Sequence, residues 1–297
     1  MALQTDIKNY WYSGGTLMRL IMLNVGVFIA LRLVDLVFFL FGTQGPDLVD
    51  WLKSSSDPGR LIRTPWTVVT YMFTHWELGH IFFNLLILWF IGRIFEDLLG
   101  GKRLLGNYLL GGLSGLLLYI ISYNFLPAFE RFAQGSTILG ASAAVMAIFV
   151  GLATYRPDLQ IHLLIIGAVR LKWLALIYVF IDLVSIQSSG NSGGHIAHLG
   201  GALYGYVAAR QLAKGNDWSL KLVQALEAIG RAFKPRKTSR MTVAKHATPA
   251  TKTQARTTAT AKQDKQAKVD VILDKISRSG YDSLSKEEKD FLFKASQ

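Results

Sequence analysis

The sequence predicts an all-α membrane protein, a bundle of six transmembrane helices followed by a small helical C-terminal segment. Three observations carry this expectation. Six apolar runs, most near the roughly 20 residues that cross a bilayer, recur before residue 213. Only 18% of the 297 residues are charged while 51% are apolar, and mean hydropathy is +0.30. The charge is also unevenly shared: residues 1–209 hold 13 Lys+Arg against 11 Asp+Glu, a balance of +2, whereas residues 210–297 hold 19 against 9, or +10. A near-neutral apolar body thus carries a basic tail. A disordered or highly solvated chain is excluded, and the absence of cysteine excludes a disulfide scaffold, a thiol nucleophile and a Cys-ligated metal.

The runs extend from about Leu20 to Phe41, His80 to Leu99, Leu104 to Tyr123, Ser136 to Thr154, Trp173 to Ile186 and His195 to Leu212. The fifth is short and poorly separated from the apolar stretch Leu163–Val169. Buried helices of soluble proteins rarely form six long runs so free of charge, which disfavours a soluble helical protein. Residues 1–15 are expected to be a short cytoplasmic N-terminus, 16–212 the six-span domain, 213–268 an amphipathic helix with a basic disordered linker, and 269–297 a small helix–turn–helix module. No cleavable signal pattern precedes the first run, so that span is expected to persist.

With the N-terminus inside, Lys8, Arg19, Arg93, Lys102, Arg103, Arg156, Arg170 and Lys172 fall on the inner face, and only Lys53, Arg60, Arg63 and Arg131 on the outer. This asymmetry satisfies the positive-inside rule and predicts that both termini are cytoplasmic. Residues 42–79, with Trp51, Trp66, Tyr71 and Trp76, are half-apolar and aromatic, as segments at a membrane interface are. Arg32 and Asp35, three apart in the first run, are expected to neutralise one another.

Polar residues inside apolar runs are costly and each needs a reason. The second run opens with His80 and Asn84 one helical turn apart; the fourth contains Gly140-Ala141-Ser142-Ala143; the sixth opens with His195, His198, Gly201 and Gly205. Singly these are weak signals. Together they occupy the same end of three spans that all run outside to inside, within roughly 10 Å of depth at 1.5 Å per residue. His198, Gly201 and Gly205 share one helix face, and two glycines allow another helix to approach closely. Approach of the Ser142 helix would set an imidazole beside a hydroxyl, the pairing that activates a serine nucleophile. His80, Asn84 and the Ser142 backbone N–H could donate to a developing oxyanion. No acid is marked by spacing as a third member, so a Ser–His dyad is the simpler expectation, with Asp182 not required.

These motifs, HxxxN as His80…Asn84, GxSx as Gly140-Ala141-Ser142-Ala143 and HxxGxxxG as His198…Gly201…Gly205, resemble those of the rhomboid intramembrane serine proteases, in that family's order. The resemblance spans about residues 16–212. It implies Ser142 as nucleophile, His198 as general base, His80 and Asn84 as oxyanion stabilisers, no cofactor, membrane-anchored protein substrates, and a bacterial inner membrane. Trp66, His75 and Gly92-x-x-x-Glu96-x-x-x-Gly100-x-x-Arg103 are further family-like features. Three positions depart from the common pattern. Ala143 replaces glycine, Thr67 follows Trp66 in place of arginine, and Met146 stands where an aromatic residue packs on the histidine.

The glycine register favours His198 over His195 as base, and His75 reads as a loop or structural histidine. A metal at the His195-x-x-His198 pair is disfavoured because no carboxylate or third ligand is evident nearby. Trp218, Leu222, Leu226, Ile229 and Phe233 predict an amphipathic helix on the inner leaflet, and the basic segment 234–268 predicts attraction to lipid headgroups rather than nucleic acid. In the last segment Val269, Ile272, Leu273 and Ile276 suggest one helix, and Ser285-Lys286-Glu287-Glu288 a capping box before another, with an unknown partner. The chief rival function is an inactive rhomboid-like scaffold that binds transmembrane helices.

Overall fold

A computed structural model describes residues 11, 14–132, 135–163, 166–187, 190–233, 269–280 and 283–295. The expected N-terminal segment up to residue 10 and the basic linker 234–268 lie outside the described residues. The chain divides into two compact units, residues 1–235 and 236–297.

The first unit is mostly helical. Its elements are α1 (Gly15–Leu40), α2 (Leu48–Leu52), β1 (Ser54–Ser55), α3 (Pro58–Arg63), α4 (Thr67–Thr70), α5 (Leu78–Leu99), α6 (Gly101–Phe125), β2 (Thr137–Ile138), α7 (Ser142–Tyr155), β3 (Gln160–Leu163), β4 (Gly167–Arg170), α8 (Leu171–Ser185), α9 (Ser192–Ala213) and α10 (Trp218–Ala232). A helix therefore covers each of the six apolar runs. Three of them, α1, α5 and α6, are long and apolar enough to cross a membrane, and α7 is a shorter apolar helix.

The all-α expectation needs correction. Two small antiparallel sheets are present, β1 with β2 and β3 with β4. Leu163 ends β3 and Gly167, at φ +83°, begins the antiparallel partner β4, so these residues do not extend the fifth run. The fourth run also begins later as a helix than expected. Its first residues enter the β1–β2 pair, with Ser54 opposite Ile138, and the helix starts at Ser142.

α7 lies at the centre, with Ala143 to Phe149 all buried. Its 14 residues span roughly 21 Å at 1.5 Å per residue, short of a hydrocarbon core of about 30 Å. The helix can be short because α6 and α9 pack closely around it. Cβ atoms added to Gly201 and Gly205 would collide with the carbonyl oxygens of Ala143 and Ala147. A Cβ on Gly115 of α6 would stand 2.6 Å from the Ala143 methyl. The space that accommodates alanine after Ser142 is thus supplied by a missing side chain on the neighbouring helix.

Buried polar contacts fasten the outer segments to this core. Asn24 of α1 donates to the Tyr108 hydroxyl at 3.2 Å, and Tyr108 donates to the Met72 carbonyl at 2.8 Å. Tyr71 donates to the Gly112 carbonyl at 2.6 Å. In the segment 42–79, Trp51 and Trp66 stack at 6.1 Å, and Thr67 turns its hydroxyl to the Thr64 carbonyl at 2.7 Å. Lys53 and Arg60 hold the Asp50 carboxyl below its usual range, Lys53 contributing most. Arg32 does pair with Asp35, but loosely at 4.0 Å; it also covers the Trp76 ring at 3.8 Å and donates to the Trp76 carbonyl.

The Gly92/Glu96/Gly100/Arg103 set is an anchor for helix ends. Glu96 accepts the Thr16 and Leu17 N–H groups at 2.7 and 3.2 Å, neutralising unpaired donors at the α1 N-terminus. Arg103 binds Asp217, the cap of α10, at 2.6 Å. We expect Glu96→Ala to lower stability by about 1–2 kcal/mol, measured as a fall in the thermal unfolding midpoint in detergent; an unchanged midpoint would show the cap to be dispensable.

α10 is amphipathic as expected, but it also packs on α6. Ser219 and Val223 are buried, and Ser219 sits where a Cβ on Gly106 would be. Trp218, Leu226, Ile229 and Phe233 remain exposed.

The second unit contains α11 (residues 269–279) and α12 (Lys286–Ala295). The capping box forms as read from the sequence: the Ser285 N–H donates to Glu288 at 2.8 Å, and the Glu288 N–H donates to the Ser285 hydroxyl at 3.2 Å. Lys275 reaches Glu288 at 2.9 Å and ties the two helices together. Ile272 and Leu284 are buried.

Candidate active site

Ser142 is the first residue of α7, where backbone N–H groups have no partner within the helix. Three contacts fix the turn that delivers it. The Gly140 N–H donates to the Tyr71 carbonyl at 2.8 Å, and the Ala141 N–H to His75 Nε2 at 3.2 Å. Gly140 itself adopts φ +118°, and a Cβ there would meet the His80 ring at 2.7 Å. Gly140 therefore serves both conformation and clearance, bringing the second-run histidine against the serine turn.

His75 is fully buried and meets the His80 ring edge-on at 5.1 Å. Burial, with His80 second, pushes its imidazole down to about 4, so it is neutral and Nε2 can accept from Ala141. The Nδ1 atom is buried without a hydrogen-bond partner among the described residues. Because the folded value lies below the unfolded value of about 6.5, the associated stability is complete above about pH 6.5 and is lost as pH falls toward about 4, on the order of 3 kcal/mol. Thermal midpoints across this window should fall for the wild type and flatten in His75→Gln, which keeps an acceptor but does not titrate. A parallel slope in the variant would rule out His75 as the source.

His80 and Asn84 occupy the first two turns of α5, both at least half-buried, and the Asn84 amide donates to the His80 carbonyl at 2.9 Å. His80 lies near enough to His198 for their charges to interact. On α9, Gly201 and Gly205 face α7 as their spacing predicts, and His198 stands one turn before Gly201. The second, fourth and sixth runs thus converge through His80, the Gly140–Ser142 turn and His198. Among the described residues no hydrogen bond joins the Ser142 hydroxyl to the His198 ring; packing alone brings them to one region. Such bonds are often long in unliganded enzymes.

Two features escaped the sequence reading. The aromatic ring beside His198 is Tyr178 of α8, at 6.4 Å, while Met146 is buried within α7. More consequentially, Asp182 of α8 stands beside the H-x-x-H pair, so the expectation that no carboxylate lies nearby is corrected. Its Oδ1 is 2.7 Å from His195 Nδ1 and 2.9 Å from His198 Nδ1. These are hydrogen-bond lengths, shorter than the roughly 3.3 Å between ligands around tetrahedral zinc, so the set is a hydrogen-bonded cluster. The signal available in advance was a single acid inside an apolar run.

A groove of about 730 Å³ beside α1, lined by Phe38, Trp76 and Leu139 among others, is not lined by Ser142 or His198. The histidines and the serine turn are instead gathered where three helix ends meet.

The fold and this site define a helical membrane protein with a serine at a helix N-terminus, next to a turn packed on a histidine of a second helix and beside a third, glycine-lined helix that carries His198. Residues 63–215, 153 of 297, match the rhomboid domain, and the chain belongs to the rhomboid family. Residues 256–297 match a family of unknown function. Among similar proteins, RHOMBOID-like protein 12, mitochondrial, of Arabidopsis thaliana is 28% identical over 218 residues, covering 69% of this chain and 62% of that protein. Presenilin-associated rhomboid-like protein A, mitochondrial, of Danio rerio is 28% identical over 144 residues, 46% of this chain and 35% of its own. Rhomboid protease GlpG of Salmonella choleraesuis is 31% identical over 139 residues, 41% and 49% respectively. The chain therefore spans less than two thirds of each relative. Because they include mitochondrial as well as bacterial proteins, they do not single out a bacterial inner membrane.

Proposed function

We propose that this chain is an intramembrane serine endopeptidase that hydrolyses peptide bonds of membrane-anchored proteins. All six helical runs cross the bilayer in this reading, both termini are cytoplasmic, and the site opens toward the outer leaflet. The observation that carries the reading is the glycine-mediated approach of α9 to the start of α7, which gathers Ser142, His198 and His80 from helices far apart in sequence. Ser142 Oγ attacks the scissile carbonyl while His198 Nε2 takes its proton. The Ser142 N–H, His80 and Asn84 stabilise the oxyanion, the last by turning its amide from the helix carbonyl it now serves. His198 then protonates the leaving amine, and water hydrolyses the acyl-enzyme.

Rhomboid protease GlpG, whose name carries this activity, supports the reading by its similarity. The test is labelling of the purified protein by a fluorophosphonate, with the modified peptide identified by mass spectrometry. Modification of Ser142 is expected; labelling elsewhere, or none, would overturn the assignment.

A further inference from the structure

We propose that Asp182 is a positioning residue for the general base: its carboxylate holds His198 by the Nδ1–H, so that Nε2 is the nitrogen offered to Ser142. This rests on the roles given above to Ser142 and His198, and extends a two-residue arrangement to three. Asp182 lies one turn beyond Tyr178 on α8 and is 1% exposed. A carboxylate oxygen only accepts, so a ring nitrogen 2.9 Å from it carries the proton. In a neutral imidazole the other nitrogen then bears the lone pair. Without this partner the ring divides between two tautomers and can rotate. With it, both proton position and ring direction are set.

Folding alone gives a poor reason for this residue. Asp182 Oδ2 is buried without a hydrogen-bond partner among the described residues. An apolar side chain there would avoid the cost of a carboxylate in an apolar bundle. The proton path is balanced within the site. The Ser142 hydroxyl proton passes to Nε2, the ring becomes a cation whose Nδ1–H stays on Asp182, and the Nε2 proton leaves with the amine. His195 donates to the same Oδ1 at 2.7 Å and so competes with His198. The other titratable groups near this end of α9 are His80 on α5, Tyr119 and Tyr123 on α6, and Tyr178 on α8.

The experiment compares full-length wild type, Asp182→Asn, Asp182→Glu and His195→Gln in detergent, each first checked for an intact thermal transition. Fluorophosphonate labelling of Ser142 is followed as a rate, and the tautomer is read by NMR of histidine-¹⁵N-labelled protein. Asp182→Asn is expected to slow labelling by on the order of 10²-fold or more and to lose the Nδ1–H signature of His198. In a substrate assay the loss falls on kcat with KM little changed. Asp182→Glu recovers much of the rate, and His195→Gln, whose amide can still donate to Asp182 while no longer titrating, labels within about threefold of wild type. Wild-type labelling matched by Asp182→Asn overturns the inference and leaves Ser142 and His198 standing. Equal losses in His195→Gln and Asp182→Asn also overturn it, since they point to a structural cluster. If Asp182→Asn does not fold, the Glu and His195 variants decide. Wild type that labels at no serine overturns the underlying reading as well.

Discussion

His198→Ala and Ser142→Ala are each expected to lower cleavage of a membrane-anchored substrate in lipid by on the order of 10⁴-fold or more, and the double variant should lose little beyond either single one. Nucleophile and base act as a unit: a serine without an acceptor for its proton is nearly inert, and an imidazole without the serine has nothing to activate. The non-additivity is the discriminating part. His198 borders Asp182, Tyr178 and the α7 contact, so its loss could also disturb packing. A packing defect would add to the loss caused by Ser142→Ala and would lower the thermal midpoint. The measurement is cleavage in liposomes across a panel of substrates. Retained turnover in either single variant would overturn the roles given to Ser142 and His198, whereas a wild type that cleaves no substrate of the panel would favour the scaffold.

Gly201→Val is expected to be strongly destabilising, above about 3 kcal/mol and sufficient to prevent the native α7–α9 contact. Ordinary overpacking costs about 1–3 kcal/mol because side chains can yield. Here the added Cβ meets the carbonyl oxygen of Ala143, with the Ala143 Cα also 3.2 Å away, and that backbone is confined between α6 and α9. Relief requires the helices to separate, which carries His198 away from Ser142. Gly26→Ala is the matched control, since a Cβ on Gly26 has nothing within 4 Å. It should change the thermal midpoint little. A Gly201→Val protein that melts like wild type in the same detergent would refute the close-approach account.

Much of the candidate site is legible in the sequence. His80, Asn84, Ser142, His198, Gly201 and Gly205 can be grouped because each lies in the first part of one of three alternate apolar runs, which on the expected six-span topology enter from the same side. The capping box at Ser285 and Glu288 was readable for the same kind of reason, being confined to four consecutive residues. What could not be read was the late start of α7. Residues 136–141 are as apolar as a helix, but the β1–β2 pair and the bonds from Gly140 and Ala141 claim their backbone. The β3–β4 pair was hidden likewise, since a short apolar run has the same composition in a strand as in a helix.

The sequence by itself determined where the apolar segments lie, which residues share a helix face and which chemistry they could support. These are local properties, set by spacing along one chain segment and by the energetic cost of polar groups in an apolar run. Only the tertiary structure decided what stands opposite those faces. Glu96 closes the start of α1 from 79 and 80 residues away, and His75 holds the turn before Ser142 from across 66 residues. Asp182, which spacing left without a role, meets both His195 and His198 because α8 and α9 lie side by side. Such contacts depend on how helices cross and how closely small residues let them approach.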